Sequence, residues 1–377
     1  MKILQITCGF PYSKVYRNLF EQCVKDDIDI EVYVPKHTNL SCELDTNDCS
    51  YPIYSNNVIV WWDKYIFFSK IYKMRCDIER NFTLSNISVI HAHSLFSDGG
   101  VAYELFKKYR IPYIVAIRDT DINQYFQKAK HLKPYALKIL KNAKAIIFLS
   151  PAYQEKVINT FVPVALQDNI IKKSLIIPNG ISDFWLTNTY KNRPVFDHQK
   201  EQINLIFVGQ IIRRKNIENV IKAGIELSKR IDKKVNILLI GQQKDQAYYK
   251  YLSTLGHFEY IEYCAPEELI NYYRKADIFV MPSFTETFGL VYAESISQGL
   301  PVIYTYGQGF DGQFAEGQVG YGVNPLSVND IVNKINIIIG NYDNISNNCI
   351  MAANKFDWIE IVKSYKKLYE RINNDFS

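Results

Sequence analysis

Two glutamates, Glu286 and Glu294, stand eight positions apart in the segment PSFTETFGLVYAESISQGLPVI, residues 282–303. The apolar run DIFVMPS (277–283) is typical of a buried strand, and LVYAESISQG (290–299) has helical character. The first N–H groups of a helix have no acceptor within the helix, and they bind phosphate readily. Carboxylates beside them can accept hydrogen bonds from ribose or sugar hydroxyls. The spacing therefore predicts a site for a ligand that carries both phosphate and hydroxyl groups.

The predicted phosphate donors are the backbone N–H groups of Phe288, Gly289, Leu290 and Val291. Gly289 would let a ligand approach the backbone closely because it has no Cβ. The same residues are also compatible with a loop carboxylate near a helix dipole and a solvated glutamate on the helix. Spacing alone leaves both interpretations open.

The rest of the chain predicts the elements that would position this site. Eleven short runs rich in Ile, Val, Leu and Phe alternate with helical stretches, which is typical of parallel sheets covered on both faces. This number exceeds the roughly six strands of one doubly wound sheet, so we expect an α/β protein with two facing Rossmann-like domains. The predicted strands are 2–6, 28–35, 89–93, 113–117, 145–150, 174–178, 204–209, 235–241, 260–264, 277–283 and 301–305.

A stretch with two prolines, a glycine and several charges follows residue 177 and predicts a domain boundary near 185–200. The first domain is expected at 1–185 and the second at 200–355. The amphipathic segment FDWIEIVKSYKKLYERI (356–372) predicts a closing helix within 356–377. Its aromatic stripe must be covered, and we expect it to return to the first domain.

Composition restricts the class of protein. The chain has 377 residues, of which 47% are hydrophobic and 22% charged, and this is typical of globular domains. A net charge of +5 suits a small anionic substrate or an anionic membrane surface and is too weak to indicate nucleic acid. The seven cysteines lack zinc-site spacing and no export signal precedes them, so we expect reduced thiols in the cytoplasm. No apolar run approaches the ~18 residues that a membrane span requires.

The segment 282–303 closely resembles the nucleotide-sugar site of retaining family 4 glycosyltransferases with the GT-B fold. The family signature has two glutamates separated by seven residues, Pro-Ser before them and Gly-x-Pro-Val after them. The closing helix also resembles that of the family, which crosses back to the first domain. Further segments that resemble the family are FVGQIIRRKNIENVIKA (207–223), IPNGIS (177–182), HAHS (91–94) and FLSPAYQEKV (148–157).

The resemblance implies a role for each matching residue. Glu294 would bind the ribose hydroxyls of a nucleoside diphosphate, and Glu286 would contact hydroxyls of the transferred sugar. Lys215 would neutralise the charge that develops on the leaving phosphate. The amides of 288–291 would bind the diphosphate. The resemblance implies no metal and no cofactor beyond the nucleoside-diphosphate sugar itself.

The start of the second domain departs from the family at one position. Gly209 and Gln210 fall in the donor-binding segment, but Gln210 stands where the family has an arginine. Arg213 or Arg214 could replace that cation, or they could be solvated residues at a helix start. The resemblance leaves this choice open.

The first domain offers three further candidates for the catalytic site. Arg118 and Asp119 follow the strand 113–117, at the sheet edge where ligands bind, although a salt-bridged loop is the alternative. Many relatives have a histidine at the position of Arg118. His93 ends the strand 89–93, and this position fits a residue of the cleft or a hydrogen-bonded structural histidine equally well.

The segment VIVWWDKYIFFSKIYKMRC (58–76) interleaves seven large apolar residues with Lys64, Lys70, Lys73 and Arg75. Such a segment can bury its aromatic side chains in the first domain, which is the interpretation we prefer, or lie in the headgroup region of a bilayer. The seven are Trp61, Trp62, Tyr65, Ile66, Phe67, Phe68 and Tyr72.

The predicted function is therefore that of a retaining hexosyltransferase. It would transfer a sugar from a nucleoside-diphosphate donor such as a UDP-sugar to a glycan or lipid-linked acceptor, in polysaccharide or glycoconjugate synthesis. Peripheral membrane contact through 58–76 would place it at the inner face of the membrane. The alternatives are a degenerate sugar-nucleotide-binding protein, which Gln210 and Arg118 favour, and an epimerase or phosphorylase on the same scaffold.

Overall fold

A computed structural model describes residues 1–38 and 49–375 of the chain, so Cys42 lies outside the described residues. The chain divides into two compact units. The first comprises Met1–Leu149, Gln154–Gly180 and Trp358–Ser377, and the second comprises Ser150–Tyr153 and Ile181–Asp357.

The first unit contains a parallel sheet of seven strands in the order β4-β2-β1-β6-β7-β8-β9, and a separate parallel pair formed by β3 and β5. Its strands are β1 Lys2–Ile6, β2 Asp29–Tyr33, β3 Lys36–His37, β4 Ile53–Tyr54, β5 Asn57–Ile59, β6 Ile87–Ala92, β7 Tyr113–Ala116, β8 Ala145–Phe148 and β9 Ser174–Ile176. The helices of this part of the chain are α1 Lys14–Lys25, α2 Phe67–Asn81, α3 Ser97–Tyr109, α4 Lys133–Asn142, α5 Pro151–Phe161, α6 Val164–Lys172 and α14 Trp358–Asn374.

The last helix, α14, completes the core of the first unit. Trp358, Val362 and Tyr369 are buried in one cluster with Ile3 of β1 and Phe20 of α1. The amphipathic pattern explains this position, because the aromatic stripe along one side of α14 must be covered by apolar side chains of other elements. The C-terminal residues of the chain therefore pack in the same core as its first strand.

The second unit contains a parallel sheet of six strands in the order β12-β11-β10-β13-β14-β15. Its strands are β10 Gln202–Val208, β11 Lys234–Ile240, β12 Glu259–Ile261, β13 Ile278–Val280, β14 Val302–Thr305 and β15 Gly320–Val323. Its helices are α7 Asp183–Thr187, α8 Ile217–Ile231, α9 Gln246–Leu255, α10 Pro266–Lys275, α11 Leu290–Ser297, α12 Val328–Gly340 and α13 Tyr342–Ala352.

The predicted fold class is confirmed: two Rossmann-like domains each have a parallel sheet, and α14 returns to the first. Each of the eleven predicted runs overlaps an observed strand. The four strands that the sequence did not predict are β3, β4, β5 and β15, each of two to four residues. Among the described helices, none is long and apolar enough to cross a membrane.

Candidate functional site

Three strands of the second sheet bring the candidate residues to one edge. β10, β13 and β14 are parallel neighbours, so their carboxyl ends lie together. The turn Arg213–Lys215 follows β10, the loop 281–289 follows β13, and the loop 306–312 follows β14. This is the edge at which open α/β sheets bind ligands.

Lys215 and Glu286 form an ion pair at this edge. Lys215 Nζ donates to Glu286 Oε2, and the two residues are only 8% and 9% exposed. The same Nζ lies 3.7 Å from Met281 Sδ. Two charges with so little contact with water are tolerated because each compensates the other. The structure thus joins two residues that are 71 positions apart in the sequence.

The loop 306–312 holds the backbone of Glu286. Gln308 Oε1 accepts a hydrogen bond of 3.0 Å from Glu286 N, and Gly309 N donates one of 2.8 Å to Glu286 O. A Cβ on Gly309 would lie 1.9 Å from Thr287 O, so only glycine allows the two loops to pack this closely. Gln308 and Gly309 are not among the predicted site residues, although the three glycines within YGQGFDG (306–312) indicate a close backbone approach.

Asn216 joins the turn after β10 to the same loop. Its backbone is left-handed, with φ of 57°, a conformation that asparagine tolerates better than most residues. The buried side-chain amide donates to Pro282 O at 3.0 Å and to Pro325 O at 2.7 Å. Asn216 therefore fixes the position of its neighbour Lys215, and it too was absent from the predicted site.

Helix α11 starts immediately after Gly289, whose φ is 75°. The amides of Leu290 and Val291 precede the first hydrogen bonds within the helix, so they have no intrahelical acceptor. The Phe288 side chain is buried and packs on Phe356, with ring centroids 5.5 Å apart. Any contact of Phe288 with a ligand would therefore use its backbone.

Glu294 lies within α11 and is partly buried. Within the described parts of the chain, no group donates a hydrogen bond to its carboxyl and no cation pairs with it. Burial raises the pKa of this carboxyl to about 7, because the charged form loses hydration without gaining a partner. The carboxyl is consequently available to accept hydrogen bonds from a ligand.

The two arginines of the Arg213–Lys215 turn point in different directions. The Arg213 guanidinium lies 5.2 Å from the ring centroid of Tyr248 and 3.9 Å from Asp245 Oδ2, beside α9. Arg214 Nη1 instead donates to Thr285 O at 3.0 Å, next to Glu286. Arg214 is thus the arginine of this turn whose guanidinium contacts the loop after β13.

The other two predicted donor-binding residues, Gly209 and Gln210, directly follow β10. Gln210 is exposed, and Gly209 has a φ of 153°. Gly209 N donates to Ile240 O at 2.8 Å, and a Cβ on Gly241 would lie 2.0 Å from Gly209 O. The ends of β10 and β11 therefore approach each other too closely for a side chain at residue 241.

In the first unit, Arg118 and Asp119 lie in the loop after β7. Arg118 Nε donates to His93 O and Nη1 donates to Asn179 Oδ1, both at 3.1 Å. Asp119 accepts a hydrogen bond from Asn123. Next to them, Asp121 is buried, and its carboxylate accepts hydrogen bonds from the amides of residues 95, 96 and 118. Burial raises the pKa of Asp121 to about 6.

His93 is fully buried, which favours its structural interpretation. Its Nε2 lies 2.8 Å from Gln5 Oε1, while His91 Nδ1 lies 2.7 Å from Tyr369 Oη of α14. The two imidazole rings stack with centroids 4.1 Å apart. Burial holds the pKa of His93 well below its usual range and lowers that of His91 to about 3, so both rings are neutral.

The preferred interpretation of the segment 58–76 is wrong for six of the seven residues that were named for it. Phe67 is buried with the inner face of α2, as expected for a core residue. The Lys64 side chain lies outside the described residues. The exposed residues are Trp61, Trp62, Tyr65, Ile66, Phe68 and Tyr72.

Comparisons with known proteins indicate the family of this chain. A family model described as "Glycosyltransferase Family 4" matches residues 13–183, and one described as "Glycosyl transferases group 1" matches residues 188–356. An uncharacterised glycosyltransferase of Methanocaldococcus jannaschii is 26% identical over 299 residues, 76% of each chain. The alpha-monoglucosyldiacylglycerol synthase of Acholeplasma laidlawii is 28% identical over 265 residues, 62% of each chain.

Solved structures are similar over almost their whole length. Sucrose-phosphate synthase from Thermosynechococcus elongatus has a TM-score of 0.75 at 19% identity, with 99% of each chain covered. Anabaena HepE in complex with UDP and glucose has a TM-score of 0.69 at 17% identity, covering 98% of this chain and 100% of HepE. With the two family matches, which together span most of the sequence, these similarities show that the chain belongs to the glycosyltransferases with the GT-B fold.

Proposed function

We propose that this protein is a retaining glycosyltransferase that transfers a hexose-type sugar from a nucleoside-diphosphate sugar to a glycan or lipid-linked acceptor. The observation that carries the proposal is the arrangement at one edge of the second sheet. A buried ammonium, an acidic partner, the start of α11 and a carboxyl that receives no hydrogen bond from the described residues lie there. Each of these groups complements one part of such a donor.

In this proposal the diphosphate accepts hydrogen bonds from the amides at the start of α11, where the helix dipole favours negative charge. Glu294 accepts hydrogen bonds from the ribose hydroxyls. Glu286 contacts hydroxyls of the sugar and, in the absence of donor, compensates Lys215. When the donor binds, Lys215 gains the phosphate as an additional anionic partner.

The transfer step breaks the bond between the anomeric carbon and the leaving phosphate oxygen. The acceptor oxygen attacks from the same face, and the leaving phosphate oxygen takes the acceptor proton, so the anomeric configuration is retained. Lys215 stabilises the charge that grows on the diphosphate, and such preorganised cations act strongly in water-poor sites. The proposal includes no metal and no additional cofactor.

The known proteins support the choice of substrates. HepE of Anabaena was solved with UDP and glucose, which supports a UDP-sugar as donor. The Acholeplasma relative is a synthase of a glucosylated diacylglycerol, which supports a lipid-linked acceptor. A relative from Klebsiella pneumoniae, 26% identical over 311 residues, is described as a protein of the cps region. We extend the proposal to surface polysaccharide or glycoconjugate synthesis in the cytoplasm.

A panel of nucleotide sugars tests the proposed function. We expect at least one UDP-sugar to raise the melting temperature, because a ligand that binds only the folded state stabilises it by mass action. The same compound should release UDP when an acceptor is present. NMR should show that the transferred sugar has the same anomeric configuration in the product as in the donor. Stabilisation without release of nucleotide under any acceptor would contradict an enzyme and favour a binding protein.

Arg214 is expected to compensate for the glutamine at position 210. Arg214→Ala should weaken binding of the stabilising nucleotide sugar by about tenfold, since a charge-assisted hydrogen bond contributes roughly 1.5–3 kcal/mol. Arg213→Ala is the matched control, because its guanidinium lies beside α9, and it should change the affinity less than about twofold. Isothermal titration calorimetry measures both. A larger loss in the Arg213 variant would contradict the assignment.

The affinity for donor should depend on the ionisation of Glu294. Because the pKa of this carboxyl is about 7, its charged fraction rises about tenfold between about pH 6 and pH 8. Binding of an esterified nucleotide sugar, whose diphosphate does not titrate in this range, should therefore tighten by up to about tenfold. In Glu294→Gln the binding should be weaker and independent of pH over this interval.

The same pKa predicts how stability changes with pH. The folded state holds a proton on Glu294 up to about pH 7, whereas the unfolded chain loses it near pH 4.3. The folded state therefore binds more protons between these values, and the contribution of Glu294 to stability falls as pH rises through them. The melting temperature of Glu294→Gln, relative to the wild type, should thus increase with pH. An unchanged difference would contradict the raised pKa.

A further inference from the structure

The exposed part of the segment 58–76 forms an aromatic surface on the first unit. Its members are between 45% and 73% exposed, although they lie within twelve residues of one another. The opposite face of α2 is buried through Phe67, Ile71 and Met74, so the helix already has its core contacts. A cluster of exposed apolar side chains of this size marks an interaction surface. The aromatic surface consists of Trp61, Trp62, Tyr65, Ile66, Phe68 and Tyr72.

The cations of the same segment are already engaged. Lys73 Nζ lies 2.9 Å from Asp63 Oδ1, and Arg75 Nη1 lies 3.3 Å from Glu79 Oε1. Lys70 Nζ donates to Ser97 Oγ at 2.6 Å. The ion pairs of Lys73 and Arg75 therefore leave little free positive charge at the aromatic surface, and Lys70 is partly buried.

A basic segment adjoins the aromatic surface and supplies that charge. It consists of Lys128, Lys130, Lys133 and Lys138, in and before α4. No acidic residue occurs between positions 122 and 154 of the sequence. Within the described ranges 1–38 and 49–375, none of these lysines has an acidic side chain within salt-bridge distance. Their charges are therefore uncompensated.

Tyr135 of α4 connects the two features. The Phe68 ring packs edge-to-face on the Tyr135 ring, with centroids 5.1 Å apart, and Phe67 packs on it at 6.0 Å. Lys138 lies three positions after Tyr135 and therefore on the same face of α4. Exposed aromatic residues and unpaired lysines are thus neighbours on one part of the first unit.

We propose that the aromatic surface and the basic segment together bind the surface of a bilayer that contains anionic lipids. Trp and Tyr side chains suit the headgroup region because they combine an apolar ring with a polar group. Lysines near an anionic surface add electrostatic attraction. A second copy of the chain fits less well, because a two-fold contact would bring the same uncompensated lysines towards each other. This partner goes beyond sugar transfer, and its test needs neither donor nor acceptor.

Vesicle co-sedimentation tests the proposal with the full-length protein and no nucleotide sugar. The wild type should bind vesicles that contain phosphatidylglycerol and phosphatidylcholine far more tightly than vesicles of phosphatidylcholine alone, and high salt should weaken this binding. Replacing Lys130, Lys133 and Lys138 by glutamine should weaken it roughly 100-fold, at about fivefold per lysine. Replacing Trp61, Trp62 and Phe68 by alanine should weaken binding to anionic vesicles by a similar factor.

Matched controls come from the second unit. Lys229, Lys250 and Lys275 are exposed, and replacing them by glutamine should change vesicle affinity less than threefold. Val195, Tyr263 and Leu326 are exposed apolar residues of the same unit. Replacing them by alanine is the control for the aromatic variant and should also change vesicle affinity less than threefold. Circular dichroism verifies that each variant is folded. The proposal is overturned if the wild type does not bind anionic vesicles, or if the control variants lose as much vesicle affinity as the test variants. It is also overturned if light scattering shows a dimer of the wild type that the aromatic substitutions abolish.

Discussion

Lys215→Met should lower turnover by about 10²–10³-fold and should also destabilise the protein. The loss of turnover follows from the proposed role, because removing one preorganised group that stabilises the transition state typically has this effect. The loss of stability follows from the ion pair, since Glu286 would remain buried as an uncompensated charge. Breaking such a pair costs about 3–5 kcal/mol. Steady-state kinetics and thermal unfolding measure the two effects separately.

A second substitution separates catalysis from stability. In the double variant Lys215→Met, Glu286→Gln both buried charges are absent, so a large part of the lost melting temperature should return. Turnover should remain low, because neither the cation nor the carboxylate is restored. If turnover recovers together with stability, Lys215 is only a structural partner of Glu286 and the proposed mechanism is wrong.

Gly309→Ala should lower kcat/KM by about 100-fold, although residue 309 lies outside the glutamate-containing segment. The new Cβ would lie 1.9 Å from Thr287 O and 2.5 Å from Phe288 N, so the backbone carrying Glu286 and the start of α11 must move. A displacement of about 1 Å in a reactive geometry can reduce rate by this factor. Overpacking should cost a further 1–3 kcal/mol or so of stability.

Gly340→Ala is the control for this substitution. It ends α12 in the same unit, and a Cβ there would meet no heavy atom within 4 Å. Its kinetics should match those of the wild type, and its stability should change by less than about 1 kcal/mol. Equal activity in the two alanine variants would show that the contact between the loops does not position the site.

Sequence patterns were sufficient for the strands that are buried on both faces. β7 (YIVA) and β8 (AIIF) are continuous apolar runs that are buried along their whole length, and parallel sheets produce this signal directly. β15 was missed because its sequence, GYGV, contains two glycines, which weaken a strand signal. β4 has only two residues, too few for a period-two pattern to be recognised. The short edge strands therefore depend on their neighbours rather than on their own sequence.

For the candidate site, the spacing of residues in the sequence could relate only residues that are close in the chain. It placed Glu286 in a loop and Glu294 on the helix that follows, and both positions agree with the structure. The partnership of Glu286 with Lys215 and the bonds of Asn216 to Pro282 and Pro325 join distant segments. No local pattern encodes such contacts.

The aromatic segment shows the limit of amphipathic patterns. The segment interleaves apolar and basic residues, and from Phe67 onwards it forms α2. The amphipathic pattern could not specify which side chains are buried in the domain, because residues on both faces of the helix are large and apolar. Phe67 and Ile71 are buried, whereas the neighbouring Phe68 and Tyr72 are exposed.

The position of α14 has a consequence for protein synthesis. Trp358, Val362 and Tyr369 belong to the core around β1, yet they are synthesised after the whole of the second sheet. Residues 181–357 emerge earlier and contain the whole second sheet. The second unit can therefore fold during translation while the first, although begun earlier, still lacks α14. In the nascent chain the usual order of N-terminal before C-terminal domain is reversed.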